Sequence, residues 1–455
     1  MELTIIEKST QYNNIINEFI DNYAVSGEPI EVSFRKLVTE VKTDRATHLI
    51  HSYPAKLLMN IPYFFLNNTV LSNIGDNVLD PFCGTGTVLL ESVLAKRNAY
   101  GADANPLARL ITNVKTTNYS IKKLEFYFEF IKEKIVKEEI GSYPDVINID
   151  YWFLPNVKEQ LNQILYSIKL IDNPKCLDFF MICFSNCVKK VSLADNRVSV
   201  PVRLRYDQYP IGHPLREKNK EKLKSLKTID VLAKFNTIVR DNINRFKKEE
   251  TNFSSKYKAN IISTNAKRLV KPNKDLLKGI KSESIDLIIT SPPYAGAQKY
   301  IRSSSLNLGW TELAKKDELK QLDSLSIGRE NYLKKEYNEL LKTGVEEADL
   351  LLNEIYTSNA LRAHIAANYL IEMRTALNES FKALKKGGYF VLVIANNQVC
   401  KREFRTKDYL VQIAVELGLK IKFQLIDDIK SYGLMTKRNK TANIITREWV
   451  ILFEK

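Results

Sequence analysis

The feature that most constrains the fold is a short apolar run followed by a glycine-rich turn, within residues 77–87. The run NVLD ends at Asp80, and PFCGTG follows before an apolar helical pattern begins at Thr87. Glycine allows the tight backbone turn that a strand needs before it enters a helix. The segment therefore predicts a buried strand, a turn whose backbone can approach a ligand, and a helix.

The same alternation continues after this unit. Residues 99–103 (AYGAD) are typical of a second strand, and residues 106–115 of a second helix. Alternating strands and helices indicate an α/β fold with a parallel, doubly wound sheet. Residues 1–40 are predicted to be helical. Further strands are predicted in five later segments: 259–264, 285–290, 389–395, 420–425 and 444–453.

Between these two groups of strands lies a long segment that is mostly helical and polar. It spans residues 120–258 and contains a non-helical stretch around 191–217. We therefore predict a cofactor half at 1–119, an inserted, largely helical domain at 120–258, and a catalytic half at 259–455. A smaller helical excursion is predicted at 295–360.

The positive charge of the chain is concentrated in the insertion. The net charge is +15, and residues 189–248 contain 16 Lys and Arg against 6 Asp and Glu. Such a segment suits a polyanion, since basic side chains replace the counterions of phosphates. A solvated helical surface would also account for the charge, but the ligand-binding turn favours nucleic acid. The candidate contacts are Lys189, Lys190, Arg197, Arg203 and Arg205.

Other classes of protein are disfavoured by what the sequence lacks. The five cysteines form no CxxC pair and the four histidines have no ligand spacing, so we expect reduced thiols and no metal. The N-terminal residues do not resemble a signal peptide, and no apolar stretch approaches about 18 residues. We therefore expect a soluble, cytoplasmic protein that does not associate with membranes.

The acidic residue at the end of the second strand indicates the kind of cofactor. Asp103 follows the glycines by about twenty residues, where a carboxylate can accept hydrogen bonds from both ribose hydroxyls. A nicotinamide cofactor would need an acid there too, but the DPF before the glycines and the later SPPY favour S-adenosylmethionine. Asn265 ends the third strand, where it could bind the adenine amine or simply close a turn.

Residues 290–294 (TSPPY) follow the predicted strand DLII and indicate the reaction. Two prolines stiffen the turn and remove two N–H donors, leaving carbonyls free to accept. Acceptors at Ser291 and Pro292 can withdraw the protons of an exocyclic amine from the ring plane, which localises its lone pair for methyl transfer. Tyr294 offers a stacking face for a flipped-out base. The chain has no Pro-Cys dipeptide, which argues against cytosine C5 methylation through a thiolate.

These motifs resemble those of the DNA amino-methyltransferases, the N4-cytosine and N6-adenine modification enzymes. DPFCGTGT resembles their first motif, ADANP their second and TSPPY their catalytic motif, while HSYPAK (residues 51–56) resembles the segment that closes over the methionine end of the cofactor. The later segments KKGGYFVLVIANN and REWVILFEK resemble the strand after the catalytic motif and a final antiparallel strand. The resemblance covers residues 45–120 and 259–455. It implies a Rossmann-like class I methyltransferase sheet.

The resemblance also implies roles for individual residues. Catalysis is expected from Ser291, Pro292, Pro293 and Tyr294, and phosphate contacts from Lys299 and Arg302, although that last segment could be an ordinary loop. Asp80, Phe82, Gly84 and Gly86 would face the methionine part of the cofactor, Asp103 the ribose, and Asn265 the adenine. The complete set of expected cofactor-binding residues is Tyr53, Asp80, Pro81, Phe82, Cys83, Gly84, Gly86, Thr87, Asp103, Ala104, Asn105 and Asn265.

A serine before the two prolines is, in this family, mainly a feature of N4-cytosine enzymes. The sequence thus predicts a site-specific methyltransferase that modifies cytosine N4 in double-stranded DNA, with a flipped base, as the modification half of a restriction-modification system with a cognate endonuclease. N6-adenine methylation is the nearest alternative. RNA N2-guanine methylation and a non-enzymatic DNA-binding role are the others.

Overall fold

The protein contains one large central sheet covered by helices on both faces. The computed structural model describes residues 5–42, 44–54, 56–135, 141–249, 256–271, 278–296, 299–428 and 447–455. The strands of this part of the chain are β1 (Ile30–Val32), β2 (Asn77–Asp80), β3 (Asn98–Ala102), β4 (Ala259–Ser263), β5 (Ile285–Thr290), β6 (Leu384–Ile394), β7 (Asn397–Val399), β8 (Arg402–Phe404), β9 (Lys420–Asp428) and β10 (Arg447–Glu454).

The helices lie between these strands in chain order. They are α1 (Ile5–Ser26), α2 (Phe34–Leu37), α3 (Asn60–Leu66), α4 (Thr87–Leu94), α5 (Pro106–Thr116), α6 (Ile121–Lys134), α7 (Ile149–Trp152), α8 (Pro155–Lys169), α9 (Pro174–Val191), α10 (Pro214–Lys227), α11 (Val231–Glu249), α12 (Tyr300–Trp310), α13 (Leu319–Ser324), α14 (Glu346–Ser358), α15 (Ala360–Ala383) and α16 (Thr406–Glu416), with a 3-10 turn at Lys334–Tyr337.

Eight strands form the central sheet, in the order β1-β9-β10-β6-β5-β2-β3-β4. Strands β6, β5, β2, β3 and β4 run parallel to one another. β10 lies antiparallel between β6 and β9. The expected Rossmann-like, doubly wound sheet with an antiparallel last strand is confirmed.

Four predicted strands coincide with β2, β3, β4 and β5 to within one or two residues. β6 starts earlier than expected, at Leu384, and the first three residues of the predicted strand 444–453 lie outside the described residues. β1 was not predicted, because three residues of an N-terminal segment carry no alternation of their own. It pairs in parallel with the edge of β9, between Ile30 and Leu425.

Both faces of the sheet are buried, which explains the continuous apolar character of its central strands. In β2, Val78 belongs to one buried apolar cluster and Leu79 to another. The first cluster extends without a break into the helices of residues 120–258, as the edge-to-face contact of Tyr119 with Phe246 illustrates. The second contains α15 and α16. The helical segment 120–258 is therefore packed against the sheet through shared apolar side chains.

Candidate functional site

The turn after β2 has a backbone that only glycine tolerates at one position. Gly84 and Gly86 have φ values of 50° and 70°. A Cβ atom on Gly86 would lie 2.6 Å from Cγ2 of Thr112 on α5. The same threonine donates a hydrogen bond from Oγ1 to the Gly84 carbonyl at 3.0 Å. The close approach of α5 therefore fixes the shape of the glycine turn.

A buried lysine supports this turn from behind. Lys115 on α5 is fully buried, and its Nζ donates to the Thr85 carbonyl at 3.0 Å. Burial, followed by the positive charge of Lys56, lowers the pKa of Lys115 well below its usual range. The buried Thr85 hydroxyl has no hydrogen-bond partner among the described residues. The sequence analysis did not identify Lys115, since a lysine near the end of a helix usually lies at the surface.

Asp80 ends β2 beneath the turn and links it to the neighbouring strand. Its Oδ1 accepts hydrogen bonds from Thr290 Oγ1 at 2.6 Å and from the Phe82 N–H at 3.1 Å. Thr290 is the last residue of β5, so this carboxyl joins the first motif to the Pro-Pro turn. Burial raises the pKa of Asp80 to about 7, although the two hydrogen bonds act in the opposite direction and lower it.

The raised pKa of Asp80 predicts a pH-dependent stability. The folded protein holds the carboxyl proton of Asp80 more tightly than the unfolded chain does. The contribution of this group to the free energy of unfolding is therefore complete below pH 4 and is lost as the pH rises to about 7. The loss is on the order of 4 kcal/mol for a shift of this size. The Asp80→Asn variant should therefore become more stable relative to the natural protein between pH 4 and 8, as measured by urea unfolding at both pH values.

An exposed carboxylate provides the control for this comparison. Asp317→Asn changes the same chemical group at the surface and should show no comparable pH dependence. A stability difference between Asp80→Asn and the natural protein that stayed constant from pH 4 to 8 would contradict the prediction.

Asp103 directly follows β3 and lines the same cleft as Gly84 of the glycine turn. Its Oδ2 accepts from the Gly84 N–H at 2.9 Å and its Oδ1 from the Asn105 N–H at 2.7 Å. A carboxylate has about four acceptor positions, so both oxygens keep the capacity to bind ligand hydroxyls. Burial raises the pKa of Asp103, while the two backbone hydrogen bonds lower it.

Asn105 joins three parts of the chain around the cleft. Its Oδ1 caps α5 by accepting from the Leu107 N–H at 3.0 Å. Its Nδ2 donates to the Tyr53 hydroxyl and to Ser304 Oγ on α12, both at 3.0 Å. The segment 51–56 and the helix that follows the Pro-Pro turn are thus tied to the second motif by one side chain.

The Pro-Pro turn lies beside the glycine turn because β5 and β2 are adjacent and parallel. Ser291 and Pro293 line the cleft. Pro292 is buried and Tyr294 packs partly against the second apolar cluster, so neither lines it. A Cβ on Gly328 would lie only 2.8 Å from the Tyr294 carbonyl, and the Gly296 N–H donates to the Gly328 carbonyl at 3.0 Å. A second loop therefore braces the turn.

These residues surround one cleft at the carboxyl ends of β2 to β5, with a volume of about 720 Å³ including its open mouth. Ten residues assigned from the sequence line it: Tyr53, Pro81, Phe82, Gly84, Asp103, Ala104, Asn105, Asn265, Ser291 and Pro293. Asp80, Cys83, Gly86 and Thr87 do not; Asp80, Cys83 and Thr87 are buried beneath the turn, and Gly86 packs on Thr112.

Asn265 reaches the cleft and also closes a turn. Its Oδ1 accepts from the Lys267 N–H at 2.9 Å. The hydrogen bond agrees with a turn-closing role, and the expected contact of Asn265 with adenine stays a prediction. The sequence analysis assigned no role to six further lining residues: Thr264, Ala266, Tyr300, Leu325, Ser326 and Ile327.

The basic residues selected from the sequence occupy different environments. Lys189 and Arg197 hold a loop within the insertion, and Arg205 pairs with Asp207. The guanidinium of Arg203 lies over the Tyr151 ring at 4.5 Å. Lys190 is half-buried, its carbonyl accepting from Lys222 Nζ at 3.3 Å. Near the cleft, Lys299 pairs with Glu330 at 3.1 Å and Arg302 is exposed on the first turn of α12.

Two other properties of the described residues bear on the site. They contain no group of three or more His, Cys, Asp or Glu that could hold a metal ion. In the same part of the chain, no helix has the length and apolar character needed to cross a membrane.

Comparison with known proteins shows which proteins this chain is similar to. Residues 34–113, which include the glycine turn and Asp103, match the N6/N4 methyltransferase family model, described as DNA methylase. Type II methyltransferase M.MvaI of Kocuria varians is 27% identical over 381 residues, which are 78% of this chain and 78% of that protein.

Two more similar proteins are also named type II methyltransferases. M.MjaII of Methanocaldococcus jannaschii is 24% identical over 70% of this chain and 72% of its own length. M.BsoBI of Geobacillus stearothermophilus is 23% identical over 84% of this chain and 80% of its own. Among solved structures, the rRNA methyltransferase aviRa of Streptomyces viridochromogenes covers 93% of this chain and 96% of its own, at 10% identity and a TM-score of 0.34.

Proposed function

We propose that this chain, which belongs to the DNA amino-methyltransferase family, transfers a methyl group from S-adenosylmethionine to the exocyclic N4 amine of cytosine in double-stranded DNA. The target base would be turned out of the helix, since the amine cannot reach the cleft from inside a duplex. We propose further that the protein is the modification enzyme of a restriction-modification system, alongside an endonuclease of the same specificity.

One observation carries the proposal. A single cleft is lined by Gly84 of the glycine turn, by Asp103 and by Ser291 of the Pro-Pro turn, although some two hundred residues separate the first from the last. A methyl donor and an amine acceptor must meet in one place, because the transfer depends on alignment of the two reacting atoms. The cleft offers both sets of groups at that place.

The charges of the cleft fit the proposed cofactor. S-adenosylmethionine, when bound, supplies a methyl group on a positively charged sulfur. Asp80 and Asp103 bring carboxyl groups to this side of the sheet, and burial raises the pKa of both. A cation nearby would favour their ionised forms, so each group gains from a positively charged ligand. The buried Thr85 hydroxyl, without a described partner, provides one more polar group in the glycine turn.

At the Pro-Pro turn, this chain supplies acceptors for the amine. Ser291 lines the cleft, and its Oγ can accept one amine proton, as the Pro292 carbonyl can accept the other. Withdrawing both protons from the base plane concentrates the nitrogen lone pair towards the methyl carbon. The N–C bond then forms as the C–S bond breaks, and one amine proton is lost. Tyr300, which lines the cleft, offers aromatic surface to the base.

The proposed substrate is tested by identifying the methylated nucleoside. The protein is incubated with tritiated S-adenosylmethionine and either duplex DNA or RNA, and the products are digested and separated. Labelled N4-methylcytosine from DNA is the expected result. Labelled N6-methyladenine would contradict the choice of base but not of substrate, and label confined to RNA would contradict both.

A further inference from the structure

The inserted segment contains a short hairpin that emerges from the end of α9. The Asp195 N–H donates to the Val202 carbonyl and the Leu204 N–H to the Leu193 carbonyl, both at 2.8 Å. Ala194 and Arg203 form the bridge between the two arms. Residues 192–204 thus form a two-stranded ribbon, which we name the 192–204 hairpin.

Two of the basic residues selected from the sequence hold this hairpin in shape. Lys189 Nζ donates to the carbonyls of Val198 and Ser199, at 2.8 and 2.9 Å. Arg197 binds Asp195 through two hydrogen bonds, of 2.8 and 2.6 Å, and donates a third to Asn219. The tip of the hairpin is therefore fixed before any partner binds, which reduces the entropy that binding would cost.

The hairpin and the residues after it expose an unusual amount of apolar and aromatic surface. Of the sixteen large hydrophobic side chains exposed in the described residues, four lie within residues 198–211: Val198, Val202, Tyr206 and Ile211, with 40, 49, 39 and 90% of their surface exposed. Exposed apolar surface concentrated in this way marks an interaction site.

Positive charge surrounds this apolar surface. Residues 189–216 contain six Lys and Arg against two Asp. The guanidinium of Arg203 stacks on Tyr151 at 4.5 Å, and that of Arg216 lies 5.5 Å from the ring centre of Tyr206. The combination of a basic rim, stacked arginines and valine methyl groups is suited to a binding partner whose surface presents both phosphates and apolar base edges.

The hairpin arises close to the cleft. On α9, two turns before the hairpin, Ser185 Oγ lies 3.0 Å from His51 Nε2, and the neighbouring Asn186 donates to the Ile50 carbonyl at 3.5 Å. His51 precedes by two residues Tyr53, which lines the cleft. The hairpin therefore follows the helix whose residues 185 and 186 contact the segment leading to Tyr53 in the cleft.

We propose that the 192–204 hairpin enters the major groove of duplex DNA and reads the bases beside the target cytosine. The major groove admits a two-stranded ribbon, and valine methyl groups can contact the 5-methyl group of thymine. Arg203 contacts a phosphate, whereas Lys189 and Arg197 act as positioning residues. This inference rests on the proposed function, and it locates base reading in a hairpin rather than in the basic helices of residues 120–258.

The first test alters the exposed valines. Val198→Ser combined with Val202→Ser removes the apolar tip without disturbing a buried contact, and Val415→Ser on α16 is the matched control, with a valine 47% exposed. Methylated positions are mapped by sequencing a random-sequence DNA library treated with each protein. The double variant should methylate its preferred sites about ten- to a hundredfold less efficiently and accept more neighbouring sequences. The control should match the natural protein, and all three should bind S-adenosylmethionine equally.

The second test uses Arg203→Gln, with Arg35→Gln on α2 as the exposed control. Arg203→Gln should weaken DNA binding for all sequences and lower the slope of log affinity against log salt by about one. A methylation pattern and a salt slope unchanged by the hairpin variants would overturn the inference while leaving the proposed function intact. Absence of DNA methylation by the natural protein would instead overturn the proposed function, and the inference with it.

Discussion

Replacing Ser291 by alanine should lower the rate of methyl transfer by about a hundredfold or more, while the affinity for S-adenosylmethionine stays within about twofold of the natural value. The hydroxyl is proposed to accept an amine proton as charge develops on the nitrogen, and loss of one such polar contact in a transition state costs about 3 kcal/mol. Single-turnover rates with saturating DNA, together with cofactor titration, separate the two effects.

The cleft provides its own control for this experiment. Ser326 also lines it, and Ser326→Ala removes the same chemical group from another part of the lining. Its transfer rate should fall by less than about tenfold. Equal losses in the two variants would mean that the cleft needs polarity in general rather than the hydroxyl of Ser291, and the catalytic assignment would fail.

Replacing Asp103 by asparagine should weaken S-adenosylmethionine binding by about a hundredfold. Both carboxylate oxygens already accept from the backbone N–H groups of Gly84 and Asn105. An amide would turn an NH₂ group towards one of these donors and would also offer one acceptor fewer to the ribose. Hydrogen bonds to charged groups contribute about 1.5 to 3 kcal/mol each, so a loss of about 3 kcal/mol is expected. Calorimetry or cofactor fluorescence displacement measures it directly.

Asp286→Asn is the matched control for Asp103→Asn. Asp286 also accepts a backbone hydrogen bond, from the Asn77 N–H at 2.9 Å, but it lies at the amino end of β5 and thus at the opposite edge of the sheet. Its replacement should leave cofactor affinity unchanged. The role proposed for Asp103 would be refuted if its variant bound the cofactor as tightly as Asp286→Asn does.

The parts of the fold that the sequence predicted are those in which local signals agree. In β2 and the glycine turn, apolar continuity, glycine spacing and the following helical pattern all specify the same strand, turn and helix. The hairpin of β7 and β8 was missed for the opposite reason. Its turn has positive φ at Cys400 and Lys401, 50° and 66°, where Asn and Gly are the usual signal.

The cleft was predicted where its residues belong to motifs and missed where tertiary packing supplies them. Leu325, Ser326 and Ile327 follow α13, within the predicted excursion 295–360, and no local pattern indicates that they turn back to the cleft. Their position depends on the contact between Gly328 and the Tyr294 carbonyl. Lys115 is a similar case, because its burial results from the packing of α5 beneath the glycine turn.

The antiparallel position of β10 has a consequence for biosynthesis. Among the described residues, β9 and β1 are joined to the five strands β6, β5, β2, β3 and β4 only through β10, which the ribosome makes after all of them. At synthesis rates of roughly 5 to 20 residues per second, β1 waits roughly 20 to 80 s for its partners. Strands β2 to β6 can pair during this interval, while β1 still lacks β9, the strand with which it pairs. Translation therefore completes the strands that carry the cleft first, and the pairing of β1, β9 and β10 comes last.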